Sequence, residues 1–168
     1  LIQFSKTKKS PILIDLIVSN NFKSKGLRFA KIFRIKKKIF TFKRKELDEK
    51  KLIKILENKK INLICLAGFM KILSRYFIEN FKGKILNIHP SLLPNYKGLN
   101  THARVLLNKE KYTGCTVHLV SPKLDAGTII IQKKIKIKKN DTPKKLAKRV
   151  LIEEHKLYPK AILKIFNL

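Results

Sequence analysis

Strands alternating with helices along the first half of a 168-residue chain predict an α/β domain with a mostly parallel central sheet flanked by helices. Three observations carry that prediction. INLICLAG (61–68) is a continuous apolar run, the kind buried on both faces in a parallel sheet. KELDEKKLIKILENKK (45–60), just before it, places Leu47, Leu52, Ile55 and Leu56 near one face at helical spacing. Further on, GCTVHLV (114–120) and GTIIIQKKIKI (127–137) read as strands joined by the turn SPKLDAG, a pair suited to extend the sheet in antiparallel fashion.

The remaining elements follow in order. LIQFSKTKKS (1–10) reads as part of a helix with no cap before it. PILIDLIVS (11–19) is a short apolar strand that ends in the polar SNN, and SKGLRFAKIF (24–33) is a helix. KKIFTF (37–42) is a second strand. KILSRYFIENFKG (71–83) is helical, and GKILNIHP (83–90) is a strand stopped by proline. THARVLLNKE (101–110) is a helix, and residues 142–166 form one long or two short helices. There Thr142 is the N-cap and Pro143 occupies the first helical position. A single domain over residues 1–168 is expected, long enough to bury about 70% of its unfolded surface.

Hydrophobic residues make up 44% of the chain, and no run approaches the roughly 20 apolar residues of a membrane helix. A cytoplasmic protein without a membrane partner is therefore expected. Cys65 and Cys115 form neither a redox pair nor a zinc spacing, and Cys65 reads as a small buried hydrophobe. The net charge of +29 would fit an anionic partner, but lysine is spread along the whole chain rather than clustered. A solvated surface of drifted composition explains it best, ahead of attraction of small anionic substrates and of nucleic acid.

Chemistry concentrates in NIHPSLLPNYKG (87–98). Asn87 and His89 lie two apart in a strand, so they share a face, and they stand at its carboxyl end, where open α/β sheets bind ligands. An amide stabilises a developing oxyanion, and an imidazole moves a proton near neutral pH. The spacing alone leaves open that Asn87 satisfies a loop carbonyl and His89 merely packs. Asp125, in the turn KLDAG, is the candidate carboxylate to orient His89, or simply a turn residue before Gly127. His118 reads as either core or a supporting group. Four scattered histidines give no metal spacing, and Ser91 lacks the Gly-flanked elbow of a serine hydrolase.

Five blocks together, LAGFMKILS (66–74), LNIHPSLLPNYKG (86–98), GCTVHLV (114–120), LDAGTIIIQ (124–132) and EEHKLYP (153–159), resemble the folate-dependent formyltransferase family, and within it phosphoribosylglycinamide formyltransferases. They occur in the family's order over nearly the whole chain. The resemblance implies a Rossmann-like formyltransferase fold. It also implies transfer of a formyl group from 10-formyltetrahydrofolate to the amine of glycinamide ribonucleotide in purine synthesis, without a metal or nucleic acid, by a monomer or homodimer.

Asn87, His89 and Asp125 match the family's catalytic trio. Met70, Lys71, Ile72 and Leu73, together with Asn87 and the loop Ser121, Pro122, Lys123, Leu124 and Asp125, match its folate contacts, and a further basic contact falls near Arg44 or Lys45. Lys71 stands where arginine is common, which keeps the charge but loses the planar fork. Leu151, Ile152, Glu153 and Glu154 match the ribonucleotide-binding stretch. The family opens with a strand and a phosphate-binding loop of roughly a dozen residues, and the expectation is that both are missing ahead of Leu1, leaving a fragment that binds phosphate poorly. The rival readings are methionyl-tRNA formyltransferase, formyltetrahydrofolate hydrolase, and a basic nucleic-acid-binding module without activity.

Overall fold

The computed structural model describes residues 1–7 and 10–168, and the chain forms two units. The first comprises Leu1–Ile64 and Phe69–Lys84, the second Cys65–Gly68 and Ile85–Leu168. The elements run α1 (Ile2–Ser5), β1 (Leu16–Ser19), α2 (Lys25–Ile32), β2 (Lys36–Ile39), α3 (Lys45–Asn58), β3 (Leu63–Leu66), α4 (Arg75–Asn80), β4 (Lys84–His89), α5 (Thr101–Leu107), β5 (Tyr112–Leu119), β6 (Ile129–Lys136) and α6 (Pro143–Ile165). The architecture is α/β, as the alternation predicts. Of the helix expected over residues 1–10, α1 is the helical part, and residues 8 and 9 lie outside the described residues.

In the first unit β1 and β2 pair in parallel, Leu16 opposite Lys36 through Ser19 opposite Ile39, with α2 packed on both. Both strands are shorter than their apolar runs predict. β2 ends at Ile39, and Phe42 leaves the extended region with φ +53. That turn buries Phe42 edge-on against Phe69, with ring centroids 5.6 Å apart.

The buried face of α3 also differs from the expectation. Glu49, Leu52, Ile53 and Leu56 are buried, an i, i+3, i+4, i+7 stripe, while Leu47 is half exposed. Reading only apolar residues misses that a carboxylate completes the stripe. α4 begins at Arg75 rather than near residue 71, because the Ser74 side chain accepts from the Phe77 amide at 3.0 Å and caps the helix there.

A four-stranded sheet has the order β3-β4-β5-β6, and β5, β6 and β4 from Ile85 onward belong to the second unit. β4 and β5 are antiparallel, as are β5 and β6, so the expected antiparallel C-terminal strands are present. α6 covers β5 and β6 as one 23-residue helix with Pro159 inside it. Thr142 caps it, accepting from the Lys145 amide. Its inner face (Leu146, Val150, Leu157, Ala161, Ile162) packs into a core with Leu86, Cys115 and Val117. Tyr158 is buried with them, and its hydroxyl donates to the Leu66 carbonyl at 2.8 Å and the Leu86 carbonyl at 3.0 Å.

Candidate active site

The site lies wholly in the second unit, at the carboxyl end of β4. The register of β4 against β5 sets Asn87 opposite His118 and His89 opposite Thr116. Asn87 donates through Nδ2 to His118 Nε2 at 3.2 Å. His118 Nδ1 in turn donates to the Leu119 carbonyl at 2.8 Å, which fixes its tautomer and leaves Nε2 a lone pair for Asn87. Burial pushes the His118 pKa below the ordinary histidine value, outweighing the opposing pull of the Leu119 carbonyl and Asp125. His118 is therefore a neutral acceptor at neutral pH, and it orients the Asn87 amide.

His89 faces two acceptors. Its Nδ1 lies 3.3 Å from Asp125 Oδ2, and its Nε2 donates to the Tyr96 carbonyl at 2.9 Å. Each ring nitrogen of His89 thus has an oxygen acceptor within reach. The His89 and Asp125 side chains are 7% and 8% exposed, so water screens their attraction little. The other carboxylate oxygen of Asp125 lies 3.7 Å from His118 Nε2.

Two backbone features bring Asp125 here. Gly98, at φ +77, donates its amide to Asp125 Oδ2 at 2.9 Å, tying the turn after β4 to the turn before β6. Gly127 passes so close to β5 that an added Cβ would sit 1.8 Å from the Leu119 carbonyl oxygen, so only glycine fits. Asp125 itself has φ +44, a left-handed conformation that aspartate tolerates better than most residues.

The loop beyond His89 is anchored from below. Thr116, fully buried, donates to the Ser91 carbonyl at 2.7 Å and accepts from the Leu93 amide at 3.1 Å. Gln132 donates to both Thr116 Oγ1 and the Leu93 carbonyl. His102, at the start of α5, is half-buried, and burial lowers its pKa too.

The structure thus brings Asn87, His89 and Asp125 together, the three residues singled out from the sequence, and adds His118. Sequence reading left His118 undecided because its partner, Asn87, is 31 residues away and only strand register reveals the pair. In the 121–125 loop, Ser121 donates to the Lys123 carbonyl, while Pro122, Lys123 and Leu124 are exposed. Leu151, Ile152, Glu153 and Glu154 lie along α6. Leu151 and Ile152 are exposed, Glu153 pairs with Lys156 at 2.8 Å, and burial raises the pKa of the Glu154 carboxyl. In the first unit, Met70, Lys71 and Ile72 are exposed and Leu73 is buried, and Arg44 and Lys45 stand exposed at the start of α3.

Two imidazoles beside one carboxylate invite comparison with a metal site, yet both histidines already donate a ring nitrogen to a carbonyl. No group of three metal-ligating side chains occurs among the described residues. What the cluster offers is an oriented amide and a carboxylate-paired imidazole. That equipment suits acyl transfer through an oxyanion.

The sequence model described as Formyl transferase matches residues 1–162. The chain belongs to the formyl transferase family. The chain is 35% identical over 165 residues to "Phosphoribosylglycinamide formyltransferase" of Escherichia coli, covering 96% of this chain and 78% of that one. It is 41% identical over 166 residues to the human "Trifunctional purine biosynthetic protein adenosine-3", again over 96% of this chain but spanning only 16% of that protein's length. Among solved structures, phosphoribosylglycinamide formyltransferase from Brucella melitensis superposes with a TM-score of 0.91 at 41% identity, covering 99% of this chain and 86% of that one. These formyltransferases have a Rossmann-like α/β fold, and this chain shares it. Among the described residues, no helix is long and apolar enough to cross a membrane.

Proposed function

We propose that this chain transfers a formyl group from 10-formyltetrahydrofolate to the amine of glycinamide ribonucleotide, a step of de novo purine synthesis leading to inosine monophosphate. The observation that carries the reading is the buried pairing of His89 with Asp125 beside an Asn87 amide held in place by His118. The names of the relatives at 35–41% identity supply the substrate.

In this reading the substrate amine attacks the formyl carbon, forming the new C–N bond and placing negative charge on the formyl oxygen. The free N–H of Asn87 and the Nε2–H of His89 stabilise that oxyanion. The His89 proton now donated to the Tyr96 carbonyl is the one the formyl oxygen takes over. Asp125 keeps the ring charged and oriented. Collapse of the intermediate breaks the bond to folate N10, which takes up the proton lost by the amine. No covalent enzyme intermediate forms, so the residues act by positioning and electrostatics.

The loop 121–125 and Met70, Lys71, Ile72 and Leu73 are assigned to the folate, and Glu154, with its neighbours 151–153, to the ribonucleotide. The family match runs through both units, which supports one formyltransferase domain over residues 1–168. We place it in the cytoplasm, with small-molecule substrates, no nucleic-acid partner, and a monomeric or homodimeric state.

The test is a continuous folate absorbance assay with glycinamide ribonucleotide on wild type and on His89→Ala. Turnover that the substitution abolishes supports the reading. A folded protein that formylates methionyl-tRNA, or only hydrolyses the cofactor, would overturn it.

A further inference from the structure

We propose that Glu49 is a positioning residue that sets the cofactor-contacting segment 70–73. The proposal rests on the assignment of that segment to the folate. Glu49 lies in the first half of α3 and is 1% exposed. Its Oε1 accepts from the Ser74 backbone amide at 2.9 Å, while Oε2 has no hydrogen-bond partner among the described residues.

Burying a carboxylate is costly unless hydrogen bonds compensate it, so a buried one marks a donor in need of an acceptor. Here the need is visible at the start of α4. In a capping box, the N-cap serine accepts from the N3 amide, and an N3 glutamate accepts from the N-cap amide in return. Ser74 makes the first of these bonds, to Phe77. The N3 residue is Phe77 itself, whose ring is buried at 1% exposure and cannot make the second. Glu49, from a different helix, supplies it. The box is split between α3 and α4, so the N3 position is free for a core phenylalanine.

The Ser74 amide is also the exit of the segment in question. Phe69 is pinned at one end by its edge-on packing against Phe42, and Leu73 and Ser74 at the other by burial and by Glu49. Between these anchors Met70 and Ile72 are held out to solvent at 72% and 59% exposure. Nothing in their own apolar character favours that placement; the anchors impose it. Withdrawing the Glu49 acceptor frees the exit end, and the two side chains lose their fixed placement.

Glu49→Met removes the acceptor at nearly constant volume, and Glu49→Gln retains one in its side-chain carbonyl. The Met variant should raise KM for 10-formyltetrahydrofolate at least fivefold, with KM for the ribonucleotide and kcat within twofold of wild type, and the Gln variant should restore wild-type values. The Ser74 amide should exchange with deuterium at least tenfold faster in the Met variant. Should that variant not fold, Glu49→Asp, which shortens the reach but keeps the charge, carries the same expectation.

An unchanged folate KM in a folded variant overturns the proposal. So does a parallel loss in every kinetic parameter, or a Gln variant as defective as Met, because each marks a purely structural role. A wild-type protein without formyl transfer sinks the functional reading, and with it the cofactor role of Glu49. Ser74 exchange would still report separately whether the split capping box exists.

Discussion

Asp125→Asn isolates the charge on which the proposed chemistry depends. Asparagine tolerates a left-handed backbone, so φ +44 can persist, and its amide oxygen can still accept from Gly98. What disappears is the negative charge 3.3 Å from His89 Nδ1. At an effective dielectric of about 20, two unit charges at that distance attract by roughly 5 kcal/mol before desolvation is counted. Removing one member of a buried, hydrogen-bonded charge pair costs about 2–5 kcal/mol by measurement on comparable pairs. Exposures of 7% and 8% place this pair with the buried kind. At about 1.4 kcal/mol per tenfold, kcat/KM should fall by roughly 30-fold to several thousandfold. The assay is formyl transfer to glycinamide ribonucleotide, with the unfolding midpoint measured in parallel. A kcat/KM within threefold of wild type, in a protein of unchanged stability, would refute the idea that the Asp125 charge sustains His89.

Other consequences are independent of turnover. Tyr158→Phe leaves the Leu66 and Leu86 carbonyls without their shared donor and should cost about 1–3 kcal/mol, lowering the thermal midpoint by several degrees. The folded-state pKa of His118 lies below the ordinary 6.5, so the unfolded chain binds the extra proton first. Its contribution to stability is therefore fully present above about pH 6.5 and is lost as pH falls towards the folded value. Urea titrations between pH 5 and 8 should show this slope in wild type and a flatter one in His118→Gln. Burial pushes the Cys65 thiol up to about 11 and the Cys115 thiol up to about 12. Both should resist iodoacetamide at pH 7.5 in the native protein and react once it is unfolded, as mass spectrometry would show.

The catalytic candidates were legible in the sequence because their information is local. Asn87 and His89 share a face through the two-residue strand repeat, and Pro90 marks where their strand stops. Thr142 and Pro143 announced α6 by the same local logic, and the turn at Asp125 lay between two readable strands. Apolar patterning likewise determined that helices and strands alternate, and hence the α/β class.

Tertiary structure decided what depends on partners distant in the chain. The β4–β5 register put His118 against Asn87, turning an ambiguous core histidine into a support for the site. The 25-residue separation of Glu49 from Ser74 hid the second half of a capping box, and an apolar-only reading of α3 set its buried face a step away from the true one. β2 stops at Ile39, and Phe42, three residues on, turns into an aromatic contact with Phe69. Short-range periodicity writes itself into a sequence because neighbours on one element share one environment. A buried polar group is recognisable only by the partner that satisfies it, and folding alone brings that partner within reach.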